Sequence, residues 1–167
     1  MRRTTLVGMV ATAVLLVAIG AVGFWRDHQL RHTTAAQNLA LTDAGLTSQV
    51  QTQVSQTLTK VLSYDYSNPG PIQQAASTLL SGAAKNQYAT LLKTLQQKAP
   101  GQQLVLSAQV DSAAVKTLTG STATLLVFLD QSSQRAADKQ PSVSAAQLKV
   151  DAARIDGTWK VTGLQLL

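Results

Sequence analysis

Asp65 stands between two phenols in the run Val61-Leu62-Ser63-Tyr64-Asp65-Tyr66, and an acid so placed can serve as a general acid or base if a cavity shelters it. Asp130 follows the apolar run Leu126-Val127-Phe128-Leu129; on a central strand it would point into whatever hollow the sheet encloses. His28 and His32 are spaced i, i+4, so on a helix both rings would face the same way, able to hold a metal or to sense pH. Each has a plainer account. The histidines have no third ligand and no carboxylate cluster nearby, which suits polar residues at a membrane interface better than a metal site. A Ser-His-Asp triad would need one of them to fold back onto elements tens of residues away, and is rejected. Asp65 can simply accept turn hydrogen bonds before Asn68-Pro69, with the two rings packed under a sheet or at its rim.

General acid–base catalysis needs at least two titratable groups converging on one substrate position. The chain has no cysteine and no glutamate, and the seven aspartates after Thr33 (Asp43, Asp65, Asp111, Asp130, Asp138, Asp151 and Asp156) are spread over separate segments. Asp65 and Asp130 are the pair best able to converge by folding. If they shared an enclosed pocket with Tyr64, an enzyme would become an even prospect. Glycines fall singly at breaks, so no phosphate-cradling loop exists. The expectation is a domain that works by contact and not by chemistry, with no catalytic, cofactor-binding or metal-binding residue. Tyr64, Tyr66 and Asp130 are the candidate pocket residues.

The elements that would position them follow an α+β plan. From Ala35 to Leu62 the residues Leu39, Leu46, Val50, Val54, Leu58, Val61 and Leu62 recur at helical steps, predicting one long amphipathic helix. Their mean step near 3.7 departs from a coiled-coil repeat, so the stripe should lie on its own domain. Asn68-Pro69-Gly70-Pro71 stops it. A second helix starts near Pro71 and closes at Gly82, and a third carries Ala84, Tyr88, Leu91, Leu92 and Leu95 until Pro100-Gly101. Beyond Gly101 the period becomes two, with Leu104, Leu106, Ala108 and Val110 on one side. Thr119-Gly120-Ser121 turns into Thr122–Gln131, whose TLLVFL is apolar on both faces and predicts a central strand covered on both. Gln131–Val143 reads as a loop. Gln147–Ile155 alternates again, and Asp156-Gly157 is a strong hairpin signal leading to Trp159 and Val161. The expectation is therefore three helices packed on one face of a four-stranded antiparallel sheet.

Leu6 to Trp25 run without a charge, and twenty residues at about 1.5 Å each reach the roughly 30 Å thickness of a bilayer's hydrocarbon. An uncleaved anchor is expected over a cleaved signal, because a signal's apolar region usually runs only about 7–15 residues. Arg2 and Arg3 before the span nearly balance Arg26 and Arg31 after it. The short leading segment and its free amino terminus favour a cytoplasmic tail of residues 1–5 and an extracytoplasmic domain. The organisation expected is tail 1–5, anchor 6–25, juxtamembrane linker 26–34 and an exported domain 35–167.

Half of the formal charge of +6 belongs to the four arginines around the span less Asp27, charge that faces lipid headgroups. The remaining lysines are scattered, with no basic stripe interleaved with aromatics, so nucleic acid is not an expected partner. The cytoplasmic membrane is.

Four fragments carry a resemblance: Val61–Tyr66; Leu80-Ser81-Gly82 with Tyr88; Leu126–Gln131; and Val150 through Arg154-Ile155-Asp156-Gly157-Thr158-Trp159-Lys160-Val161. In this order, after a single span, the chain resembles the actinobacterial Mce-associated membrane proteins, encoded beside mammalian-cell-entry (Mce) lipid importers. A Glu-free, Gln-rich surface and a short tail depart from that pattern. The resemblance implies a nuclear-transport-factor-2-like cone, in which a curved sheet wraps a long helix. It also implies a noncatalytic accessory subunit that stabilises or couples an envelope lipid importer, with importer subunits or homologous accessory proteins as partners. Two other readings stay open: an assembly component of a type IV secretion or conjugation channel, and a cone that binds a small apolar ligand.

Overall fold

The computed structural model describes residues 38–135 and 142–167. The expected tail, span and linker and both histidines lie outside the described residues, and among those described no helix is long and apolar enough to cross a membrane. Leu39–Leu167 forms one compact unit.

Helix α1 spans Ala44–Leu62 and buries Val50, Val54, Leu58 and Val61 along one stripe. It starts later than the apolar period predicts. Asp43 caps it by accepting the Leu46 N–H at 2.8 Å, and Leu39 leaves the helical series to give its own N–H to the Leu118 carbonyl at 2.8 Å. After Ser63 the chain is extended, and strand β1, Tyr64–Asp65, pairs with Leu106 and Val105. The sheet therefore has five strands where four are expected, because a two-residue strand shows no period.

Helix α2, Gly70–Leu79, has Pro71 in its first turn and buries Ile72 and Ala76. Gly82 does not cap it. Leu80 is extended and bridges Val161, Ser81 donates its N–H to the Val161 carbonyl at 2.9 Å, and Gly82, at φ +54°, opens helix α3, Gly82–Gln102. Pro100 does not end α3 either. In the last turn a proline removes only one donor, and the helix closes two residues later, with Gln103 left-handed at φ 48° and Leu104 N–H on the Ala99 carbonyl at 3.1 Å.

Strands β2 (Val105–Leu118), β3 (Thr122–Gln134), β4 (Ser142–Ile155) and β5 (Thr158–Leu166) follow in antiparallel order β1-β2-β3-β4-β5. The ladder between β3 and β4 continues to Ser133 opposite Ser142, so strand replaces much of the loop expected over Gln131–Val143. Asp156 and Gly157 turn β4 into β5 at φ 51° and 78°, the two positive values a type I′ turn demands.

The helices pack on one face of the sheet, against Leu118, Ala123, Leu125, Val127, Val150, Ala152, Trp159 and Val161. Among the described residues, strand β3 is consequently covered on one face only. Its inward residues Ala123, Leu125, Val127 and Leu129 are buried, while Phe128 is 43% exposed on the other side. Apolar residues on both faces imitate a doubly covered strand, but among the described residues no helix lies over the second face.

Tyr88 of α3 donates its hydroxyl to the Val61 carbonyl in the last turn of α1, satisfying one of the acceptors a helix end leaves open. Burial pushes this phenol well above its ordinary 10. The native state then keeps a proton that the unfolded chain loses, so stability is intact below about pH 10 and declines as pH rises past it. Tyr88→Phe should flatten that alkaline decline in urea melts, while costing about 1–3 kcal/mol at neutral pH through the unpaired carbonyl. An equally steep decline in the variant would show that another group causes it.

Candidate functional site

Where the end of α1, β1, the first turn of α2 and the start of β2 meet, they leave an open groove of about 590 Å³. Tyr64, Ile72, Ala75, Val105 and Leu106 give it apolar walls; Lys60, Asp65, Asn68 and Ser107 add polar groups. Each wall has a local cause. Pairing with Leu106 fixes Tyr64 on the sheet edge, and the Ser63 hydroxyl oxygen accepts the Ala108 N–H at 3.0 Å, closing that edge beside it. Asn68 N–H reaches the Asp65 carbonyl at 3.2 Å, tightening the turn that brings Pro71 and Ile72 back against α1.

Asp65 is occupied in that turn. Its carboxylate accepts the Ser67 hydroxyl at 2.7 Å and the Ser67 N–H at 2.8 Å. These bonds hold its pKa below the usual carboxylate value, so it is ionised at neutral pH and is no reservoir of protons. The groove can hold an apolar side chain or short chain with a cation, Lys60, in its wall. A smaller hollow of about 180 Å³ also reaches Lys60 and lies among Gln53, Thr57, Leu79 and Trp159. There Gln53 accepts the Trp159 backbone N–H at 3.0 Å through its side-chain oxygen, and Thr57 donates to the Gln53 carbonyl at 2.8 Å.

No family model matches the chain. An uncharacterised protein of Mycobacterium tuberculosis is 28% identical over 160 residues, 93% of this chain and 69% of that protein. An IcmL-like type IV secretion system protein of Legionella pneumophila shares the fold with a TM-score of 0.61 at 12% identity, over 72% of this chain and 91% of that one. A nuclear-transport-factor-2-like superfamily protein of Salmonella enterica does so with a TM-score of 0.51 at 12% identity, over 72% and 92%. The fold is nuclear-transport-factor-2-like. At such identities the likeness is one of fold, and function must be argued from the site.

In this nuclear-transport-factor-2-like domain the space between sheet and helices is filled by Trp159, Leu58, Leu80, Leu118 and Leu125, each under 2% exposed. Tyr64 is buried and lines the groove; Tyr66 is half-buried outside its walls, its N–H on the Leu104 carbonyl at 3.2 Å. Asp130 does not enter the enclosed side. Inward residues of β3 are odd-numbered, so Asp130 shares the outer face with Phe128, exposed at a depression of about 330 Å³ with Asp111, Ala145 and Gln147. Asp65 and Asp130 thus belong to separate hollows and do not converge. Among the described residues no three metal-ligating side chains come together.

The groove residues Lys60, Ile72, Ala75 and Leu106 escape sequence reasoning, since three separate elements contribute them. One signal was available. Asn68-Pro69-Gly70-Pro71 directly after Tyr64-Asp65-Tyr66 forces α2 to start beside the end of α1.

Proposed function

We propose that the chain is a membrane-anchored, noncatalytic accessory subunit of an envelope assembly, with Leu39–Leu167 working outside the cytoplasmic membrane as a contact domain. The observation that carries this reading is the separation of Asp65 and Asp130, together with a cone filled by side chains. Asp65 and Asp130, the pair best able to act together on one substrate, line different hollows, which supports contact over chemistry. The sequence resemblance supports an Mce-type lipid importer as the assembly the subunit stabilises or couples. A second reading, an assembly component of a type IV secretion or conjugation channel, is favoured by the fold shared with the IcmL-like protein. A carrier of small apolar ligands has only the open groove in its support.

The test is complementation of a strain lacking the chain, with lipid uptake and conjugative DNA transfer measured side by side. Uptake should be lost on deletion and return to within about twofold with a variant carrying both Asp65→Asn and Asp130→Asn. Loss of transfer with normal uptake would move the subunit to the secretion channel. A drop of about tenfold or more in the double variant, the scale on which losing an acid or base acts, would end the contact reading.

A further inference from the structure

We propose that the edge of β4 over Ser142–Ala146 accepts an extended segment of a partner protein as an added strand, with an arginine of that segment reaching Asp130 across the outer face of the sheet. Unequal strand lengths create the edge. The pairing of β4 with β3 runs on to Ser142 opposite Ser133, whereas β5 reaches only Leu166 opposite Leu148. Leu167 then gives its N–H to the Gln147 carbonyl at 3.0 Å. Backbone groups alternate from side to side along a strand, so Ala145 and Val143 turn their N–H and C=O the same way as Gln147. Among the described residues nothing is bonded to them there.

Natural edges refuse a partner by lysine, proline, bulges or a covering segment. Ser142-Val143-Ser144-Ala145-Ala146 carries no charge and no proline, its ladder to β3 has no bulge, and its first four residues are exposed, Val143 at 69%. The outer edges of β2 and β5 are treated differently. On β2 the Ser63 hydroxyl oxygen holds the Ala108 N–H and the Gln51 side chain holds the Ala113 carbonyl at 2.6 Å. On β5 the stretch Leu80–Gly82 lies along Val161 and Thr162. The open run of β4, at about 3.4 Å per residue, spans roughly 17 Å, the length of an ordinary strand.

Side chains beside the edge select the occupant. Ala145 stands opposite Asp130 and Gln147 opposite Phe128, so both lie on the outer face. They border the depression of about 330 Å³ that holds Asp111 and Asp130, both exposed, and the 43% exposed ring of Phe128. An added strand sets one outward side chain beside Ala145, two strand spacings or about 10 Å from Asp130. The small Ala145 leaves that path open, and an extended guanidinium and the carboxylate close the gap between them. Lys149, the outward cation of β4, is bridged to Asp151 at 3.7 Å and does not neutralise Asp130. Arginine suits the place because its plane stacks on an aromatic ring while its forked donors meet a carboxylate. An acidic side chain there would meet like charge. Main-chain bonds thus supply affinity and the depression supplies selection, the division of labour of strand addition. The inference holds whichever assembly the subunit serves.

The full chain contains no cysteine, so Val143→Cys places a single thiol at an exposed position of this edge. The probe is the peptide acetyl-Val-Arg-Thr-Cys-Thr-amide. In antiparallel pairing its arginine lies opposite Ala145 and its cysteine opposite position 143, at a Cα separation of about 5.5 Å that a disulfide accepts. Full-length protein in detergent is equilibrated with the peptide over a series of 2-mercaptoethanol concentrations, and the mixed disulfide is read by intact mass. Trapping at Val143→Cys should withstand about tenfold more reductant than trapping at Gln97→Cys on the exposed side of α3. Methylating the arginine nitrogen, which removes the donor to the Ala145 carbonyl, should abolish that advantage, and so should glutamate in place of arginine. Asp111→Lys with Asp130→Lys should reverse the preference in favour of the glutamate peptide. Equal trapping at both cysteines, trapping indifferent to the methyl group, or a charge preference that the two lysines leave unchanged would each overturn the proposal.

Discussion

Trp159→Ala should lower the stability of the domain by about 3–5 kcal/mol, the cost of deleting a large aromatic from a packed core. The indole is 0% exposed and belongs to the same cluster as Leu58, Leu80 and Val161, so its removal opens a cavity bounded by α1, β5 and the chain between α2 and α3. Those neighbours cannot all collapse into it. Gln53 holds the Trp159 backbone N–H, Ser81 holds the Val161 carbonyl, and the Asp156-Gly157 turn fixes where β5 begins. Against a total stability of about 5–15 kcal/mol, the loss would remove from about a fifth of the margin to all of it. Trp159→Phe separates the terms. Among the described residues the ring Nε1 has no acceptor, so phenylalanine removes an unpaired polar group while keeping most of the packed volume, and should cost under about 2 kcal/mol. Urea midpoints of the three proteins decide it. A Trp159→Ala cost below about 1 kcal/mol would mean that the indole is not clamped.

The helices and hairpins are legible because they are local. The stripe of α1 follows from residues three and four apart, the Asp156-Gly157 turn from two adjacent residues with positive φ, and the burial of Trp159 from its place just after that turn. What fails is the assignment of faces. Residues Thr124 to Leu129 are apolar at nearly every position, so their alternation says nothing about which side meets the helices, and parity had to come from the three-dimensional register of Leu125 with Val150 and Val115. One undetermined bit put Asp130 inside when it stands outside, and hid Phe128 as core when it is half-exposed. A strand slipped by one residue carries every side chain to the opposite face, and the same ambiguity governs a reading of it.

The candidate site shows a different limit. Tyr64 and Asp65 are visible as an unusual tripeptide, but the groove needs Ile72, Leu106 and Lys60, which meet only after α2 folds back and β1 pairs with a strand some forty residues later. The Asx-type turn that occupies Asp65 was the plainer expectation for that residue, and the Ser67 bonds are its physical form.

Removing residues 1–34 should abolish assembly and uptake while leaving the domain folded. Leu39–Leu167 contains the whole described core, and its first residue is docked by backbone hydrogen bond to Leu118, so folding does not need the leading segment. What the segment supplies, on the proposed reading, is confinement. Tethering two binding partners to one membrane turns their encounter into a nearly intramolecular event, and can raise apparent affinity about 10²–10⁴-fold without a single new contact. A contact domain with open, shallow surfaces depends on that gain more than an enzyme with a deep pocket would. The apolar stretch Leu6–Trp25 then has to meet only two conditions, a length near the roughly 30 Å of the hydrocarbon layer and the correct orientation. A foreign single span of the same length and orientation should therefore restore uptake. Failure of the foreign span, with the fusion present in the membrane at normal amount, would show that side chains of Leu6–Trp25 make specific contacts of their own; full activity of an exported, unanchored domain would remove confinement from the mechanism altogether.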